Sequence, residues 1–190
     1  MNGMTDDVER WSAFRVWLYS LLNRSPKSNL AVVEHASPGG GERLLDVGCG
    51  PGAALEHAAA RGAEVAGVDP SPAMADRASR RVPRAEIKVG SAEAIPFPDD
   101  RFDVVISISS FHHWADPDAG LTEILRVLAP GGRLLIAERK HKRSAGHGLT
   151  VEKADQLTET LLSMGYDTPE VDTIKVARHQ FLVVSAAAPV

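Results

Sequence analysis

The chain of 190 residues contains a single cysteine, Cys49. An internal disulfide is excluded, and so is a cysteine-rich metal site. Excess positive charge is also missing. With 21 Lys and Arg against 25 Asp and Glu, the formal charge is −4 and the pI is near 6.0. That balance argues against a nucleic-acid partner, while leaving room for a local basic patch. No apolar run approaches membrane-spanning length, so no membrane partner is expected. The first residues are polar and charged (Thr5, Asp6, Asp7, Glu9, Arg10), without a signal-peptide core, and a cytoplasmic location is the expectation. What is present is an ordinary globular composition, 44% hydrophobic and 24% charged. The length suits one domain over 1–190, with N-terminal helices in 1–38 and a core in 40–190.

The chain is organised around Leu44-Leu45-Asp46-Val47-Gly48-Cys49-Gly50-Pro51-Gly52. A short apolar run breaks into three glycines at alternate positions, and Ala53 to Ala60 follows. The order reads as a buried strand, a tight turn and the start of a helix. Glycines let a ligand approach the backbone, and the helix N-terminus offers N–H donors.

Upstream, residues 7–23 carry Val8, Trp11, Phe14, Val16, Trp17, Leu18, Leu21 and Leu22 at helical spacing, with one broad apolar face. This helix is read either as packed on the domain or, with Trp11 and Trp17, as a lid or a homodimer contact. A second helix is expected from Ser28 to Ala36. Downstream, strands and helices alternate: strand Glu64–Val68 ending at Asp69, helix Ala73–Arg81, strand Ala85–Val89 and a loop from Ser91. Strand Phe102–Ser107 follows, then helix Pro117–Leu128, stopped by Pro130-Gly131-Gly132, and strand Arg133–Ala137. Alternation of this kind implies right-handed βαβ units and a mainly parallel sheet. A helix from Thr150 to Met164 precedes two strand-like runs, Val171–Val176 and Gln180–Ser185, too close for a crossover. They should form an antiparallel hairpin at one sheet edge. The expected fold is therefore α/β with a mixed sheet of seven strands.

In such sheets ligands bind at the carboxyl ends of the strands. Asp46 with the glycine turn, Asp69, Ser91-Ala92-Glu93 and the segment after strand four all fall there. Asp69 stands about twenty residues past the glycines, where an acid grips ribose hydroxyls. Its bland alternative is a helix cap before Pro70. A dinucleotide is one ligand to weigh, since Gly48-x-Gly50-x-x-Ala53 fits a relaxed fingerprint. Asp46 weighs against it, because a carboxylate there repels a pyrophosphate in a partly dry site. The same carboxylate suits an ammonium group. A ligand with a ribose at one end and a cationic amino acid at the other is S-adenosylmethionine.

The motifs Leu45-Asp46-Val47-Gly48-Cys49-Gly50-Pro51-Gly52, Val68-Asp69-Pro70-Ser71, Ala92-Glu93-Ala94-Ile95-Pro96-Phe97, Phe102-Asp103-Val104-Val105 and Leu128-Ala129-Pro130-Gly131-Gly132 run in this order. Over about residues 40–138 the chain resembles a class I S-adenosylmethionine-dependent methyltransferase of the small-molecule type. The resemblance implies a Rossmann-like three-layer α/β/α sandwich. It implies that Asp46, Gly48, Cys49, Gly50 and Gly52 hold the methionine end, that Asp69 takes the ribose hydroxyls with Pro70 beside it in the cofactor set, and that Met74, Ser91 and Ala92 border the adenine. Ser107 joins the same cofactor set. The position of Ser91 usually carries an acid in this family, and a hydroxyl is the weaker acceptor. Glu93 is the nearby carboxylate that could replace it.

Such a cofactor brings the activated methyl group, and the protein positions a nucleophile. His112 and His113, in Phe111-His112-His113-Trp114, are the candidate bases, with a purely structural role as the alternative. A metal is not expected, because adjacent histidines point apart and no third ligand is evident. Ser107-Ile108-Ser109-Ser110 stands where nucleic-acid and amide methyltransferases of this fold carry Asn/Asp-Pro-Pro-aromatic, which points to a small-molecule acceptor. Arg139-Lys140-His141-Lys142-Arg143 leaves the sheet at the ligand end, as a solvated loop or as an attractor of an anionic acceptor. Two other classes stay open: a methyltransferase-like cofactor-binding protein without turnover, and an NAD-dependent oxidoreductase. Against the latter stand Asp46 and the lack of a Tyr-x-x-x-Lys pair.

Overall fold

A computed structural model of the chain describes residues 27–141 and 148–190. The helix expected over 7–23, and with it the lid or dimer reading of Trp11 and Trp17, lies outside the described residues. Helices α1 (Lys27–Ala36), α2 (Ala53–Ala60), α3 (Pro72–Arg81), α4 (Pro117–Val127) and α5 (Val151–Ser163) surround one sheet. Its strands are β1 (Arg43–Val47), β2 (Glu64–Asp69), β3 (Glu86–Val89), β4 (Phe102–Ile108), β5 (Leu128–Arg139), β6 (Asp167–Val176) and β7 (His179–Ala187). The spatial order is β3-β2-β1-β4-β5-β7-β6, with β1 to β5 parallel and β7 antiparallel to both of its neighbours. Strand order reverses between β1 and β4, and that crevice is where an open sheet receives a ligand.

β1 and β4 are almost wholly buried, as apolar strands covered on both faces must be. One face packs Leu45, Val105 and Ile136 against α4 and α5 through Leu121, Ile124 and Leu157. The other packs Leu44, Ile106 and Ala137 against α1, α2 and α3 through Val33, Leu55 and Ala78. The result is the expected three-layer α/β/α sandwich. Ion pairs pin the opposite end of the sheet from the ligand crevice: Arg43 holds Asp103 at 2.7 Å and Arg133 holds Glu42 at 2.8 Å. Among the described residues no helix is long and apolar enough to cross a membrane.

Most boundaries differ from expectation by a residue or two. The largest difference is β5, which starts at Leu128 rather than Arg133. Helix α4 ends at Val127, before Pro130-Gly131-Gly132, because Leu128 already has extended backbone (φ −70°, ψ 135°). The two glycines do not end the strand. They sit in an irregularity where the β4–β5 register shifts between Phe102 and Val104. The hairpin strands are also longer than expected, reaching Asp167 and Ala187.

Candidate functional site

Each central parallel strand carries a buried polar residue at its last or next-to-last position: Asp46 on β1, Asp69 on β2, Ser107 on β4 and Glu138 on β5. Between β1 and α2 the backbone turns through Gly48, Gly50 and Gly52, with φ of 77°, 51° and 79°. These values favour glycine. A Cβ on Gly48 would fall 1.9 Å from Ser110 Oγ, so the segment after β4 lies directly on the turn. A Cβ on Gly50 would meet nothing within 4 Å, which leaves this glycine facing open space.

Asp69 ties the turn to β2. Its Oδ2 accepts from Gly50 N at 2.8 Å and its Oδ1 from Ser71 N at 2.9 Å. Each oxygen keeps a further lone pair for a ligand hydroxyl. Burial raises its pKa against the lowering effect of those two amides. Asp46 differs. It is 3% exposed, and its Oδ1 has no hydrogen-bond partner among the described residues. Burial, and then the charge of Asp69, push its carboxyl up to about 8. An orphaned buried carboxyl oxygen is uncommon and calls for a donor. A ligand ammonium is such a donor, and its charge restores the ionised form. The residues therefore fit the cofactor that the sequence implies. Ser107 Oγ is a second buried polar atom with no hydrogen-bond partner among the described residues, one position past Ile106, the register partner of Asp46.

The other expected contacts divide. Cys49 is buried, with its Sγ in the core beneath Gly67, so only its backbone borders the turn. Pro70 is exposed and Met74 is half-buried in the first turn of α3. Ser91 and Ala92 begin the loop after β3. Arg126 pins that loop through Ile95 O and Phe97 O, both at 3.0 Å, and Glu123 accepts from Ile95 N at 2.9 Å. Glu93 does not stand in for the missing acid. Its Oε1 accepts from Ala115 N at 2.8 Å and Asp116 N at 3.2 Å, which fixes the entry to α4. Burial opposes ionisation of Glu93, but the hydrogen bonds from Ser91 and those amides together hold its pKa below the usual value.

The two histidines occupy a 3-10 turn, Phe111–His113, directly after the serine that packs on Gly48. Their rings stand 4.0 Å apart, yet their settings differ. His113 is exposed. His112 is held by Glu138, whose two carboxylate oxygens lie 3.0 and 2.9 Å from His112 Nδ1. Glu138 is 1% exposed. Burial pushes its pKa up against the hydrogen bond from His112. Sequence reasoning missed Glu138. The available signal was an acid closing an apolar run at a strand's carboxyl end, the same signal that marked Asp46 and Asp69. Of the basic run after β5, Lys142 and Arg143 lie outside the described residues.

Comparison with known proteins bears on this arrangement. The family profile described as a methyltransferase domain matches residues 45–136, from β1 through most of β5. An uncharacterized methyltransferase of Mycobacterium tuberculosis is 39% identical over 97 residues, 51% of this chain and 40% of that protein. Over residues 45–136 the chain is thus similar to methyltransferase domains. A demethylmenaquinone methyltransferase of Clavibacter sepedonicus is 38% identical over 112 residues, covering 57% of this chain and 46% of that protein. The chain thus spans less than half the length of these relatives. Among solved structures, phosphoethanolamine N-methyltransferase 2 of Haemonchus contortus, in complex with S-adenosylmethionine, superposes with a TM-score of 0.79 at 23% identity. It covers 100% of this chain, which covers 61% of it, and the likeness is one of fold. The matched region contains every candidate cofactor and base residue except Glu138, which lies two residues beyond it.

Proposed function

We propose that the chain binds S-adenosylmethionine and moves its methyl group by in-line displacement to a small-molecule acceptor. The observation that carries the reading is Asp46, a buried carboxyl with an unpartnered oxygen beside an open glycine turn. Asp46 and the turn from Gly48 to Gly52 would hold the methionine end. Asp69 would take the ribose hydroxyls, while Met74, Ser91 and Ala92 would border the adenine. When bound, the cofactor supplies a methyl group already activated as a sulfonium.

The chain's own task is then to position the acceptor and manage one proton. With Nδ1 of His112 on Glu138, proton exchange falls to Nε2. An acceptor hydroxyl or ammonium gives its proton to that nitrogen, and the imidazolium formed is stabilised by the Glu138 carboxylate at 2.9 Å. Glu138 is a positioning residue: it fixes the ring and favours the protonated product. Ser107-Ile108-Ser109-Ser110 after β4, in place of an Asn/Asp-Pro-Pro-aromatic motif, supports a small acceptor. The name of the Clavibacter relative, a demethylmenaquinone methyltransferase, supports the same class.

Methyl-labelled S-adenosylmethionine incubated with pooled metabolites tests the reading. Labelled product is expected, and His112→Gln is expected to lower transfer to a hydroxyl about 100-fold with cofactor affinity unchanged. Cofactor bound without transfer to any acceptor would instead favour a binding protein without turnover, and undiminished transfer by His112→Gln would remove the histidine from the chemistry.

A further inference from the structure

Past β5 the molecule has a second concavity. A groove of about 1070 Å³ opens between the end of β5, the first turn of α5 and the turn joining β6 to β7. Arg139 and Lys140 line it from β5, Lys153 from α5, Lys175 from β6 and Arg178 from the hairpin turn. One carboxylate, Glu152, lines it as well. Elsewhere arginines are matched: Arg43, Arg126 and Arg133 each hold a carboxylate. None of the five groove cations has a carboxylate partner among the described residues. The Arg139 guanidinium instead donates to His179 Nδ1 at 2.9 Å. Desolvation, and then Arg139 and Arg178, lower the pKa of His179, which favours the neutral ring that accepts this bond.

Five like charges around one concavity repel one another, and a bound anion relieves that repulsion. The α5 N-terminus adds to the field. Thr150 and Val151, at that N-terminus, line the groove, and Thr150 Oγ1 caps the helix by accepting from Lys153 N at 3.2 Å. The volume is at the upper end for a small-molecule site, more than a bare phosphate needs. The groove begins one residue past Glu138, on the strand that holds His112.

We propose that this groove binds a phosphate- or carboxylate-bearing small molecule, and that its occupant is the anionic end of the methyl acceptor. The second clause rests on the methyl-transfer reading; the first does not.

Inorganic pyrophosphate titrated calorimetrically into the full chain tests the groove. The variant Lys175→Gln/Arg178→Gln changes only side chains on the exposed hairpin end, and an unchanged melting temperature will confirm that it folds. Binding to the wild type is expected, weakening with salt and weakening at least about tenfold in the variant. Saturating S-adenosylhomocysteine should leave it intact. Equal binding by the variant, displacement by S-adenosylhomocysteine, or tighter binding of an RNA oligonucleotide through the same residues would each overturn the proposal. The pooled-metabolite assay tests the occupant. The methylated product should carry a phosphate or carboxylate, and the variant should raise its KM with kcat unchanged. A neutral product overturns the acceptor assignment. A chain that binds pyrophosphate through the groove but does not bind S-adenosylhomocysteine overturns the methyl-transfer reading and leaves the groove standing.

Discussion

Replacing Asp46 with asparagine is expected to stabilise the empty protein and to disable the site. Asp46 is 3% exposed, and its carboxyl is raised from 3.8 to about 8 by burial and by Asp69. The native state therefore binds more protons than the unfolded state between pH of about 4 and about 8. The sign follows. Stability falls as pH rises through that window, because the unfolded chain releases a proton that the native site retains. At pH 7 the penalty has a ceiling of about 4 kcal/mol. Asparagine has the same shape and no charge to bury, but its amide N–H groups need partners and return about 1–3 kcal/mol of the gain. The net expectation at pH 7 is about 2 kcal/mol of added stability, or about 6 °C in Tm for a domain of this size. Urea unfolding of both proteins between pH 5 and 8 should show a gap that widens with pH. S-adenosylhomocysteine affinity of Asp46→Asn should fall at least about 100-fold, since a buried charge pair is lost. A variant less stable than the wild type throughout that range, or one that binds as well, would refute the reasoning.

Asp69→Ala should act in the opposite sense on stability, because it strands the amides of Gly50 and Ser71; Tm and S-adenosylhomocysteine affinity should fall together, the affinity at least about tenfold. Gly48→Ala places a Cβ 1.9 Å from Ser110 Oγ at a φ of 77°. A loss of about 2–4 kcal/mol is expected in urea unfolding, partly recovered by adding Ser110→Gly. Glu138→Gln should lower kcat for a hydroxyl acceptor about tenfold or more with cofactor affinity unchanged, and Glu138→Asp should restore part of it. An equal loss in both variants, tracking Tm, would mean that Glu138 is structural only.

The fold was legible where local rules agree. Apolar runs meeting an acid gave β1 and β2, and the run Pro117–Leu128 ahead of Pro130-Gly131-Gly132 gave α4. The start of β5 was misplaced because Pro130-Gly131-Gly132 reads as a break, whereas the backbone stays extended through a register shift. Asp46 and Asp69 were legible as site residues because each closes a strand beside the glycine turn. Cys49 was grouped with them by position, but the turn between Gly48 and Gly50 directs its thiol into the core. Glu138 is 26 residues from His112, and only the parallel pairing of β4 with β5 brings it near. The basic groove shows the same limit. Arg139 and Lys140 were visible as a run, while Lys153, Lys175 and Arg178 join them through the docking of α5 and the hairpin.

The most direct test of the central claim is calorimetric titration of the wild-type chain with S-adenosylmethionine and, separately, with NAD, repeated on Asp46→Asn. Saturable binding of S-adenosylmethionine at one site, abolished by the substitution, with no binding of NAD, is the predicted result. Binding of NAD in preference, or S-adenosylmethionine bound equally well without the Asp46 carboxylate, would contradict the claim that this acid selects the ligand.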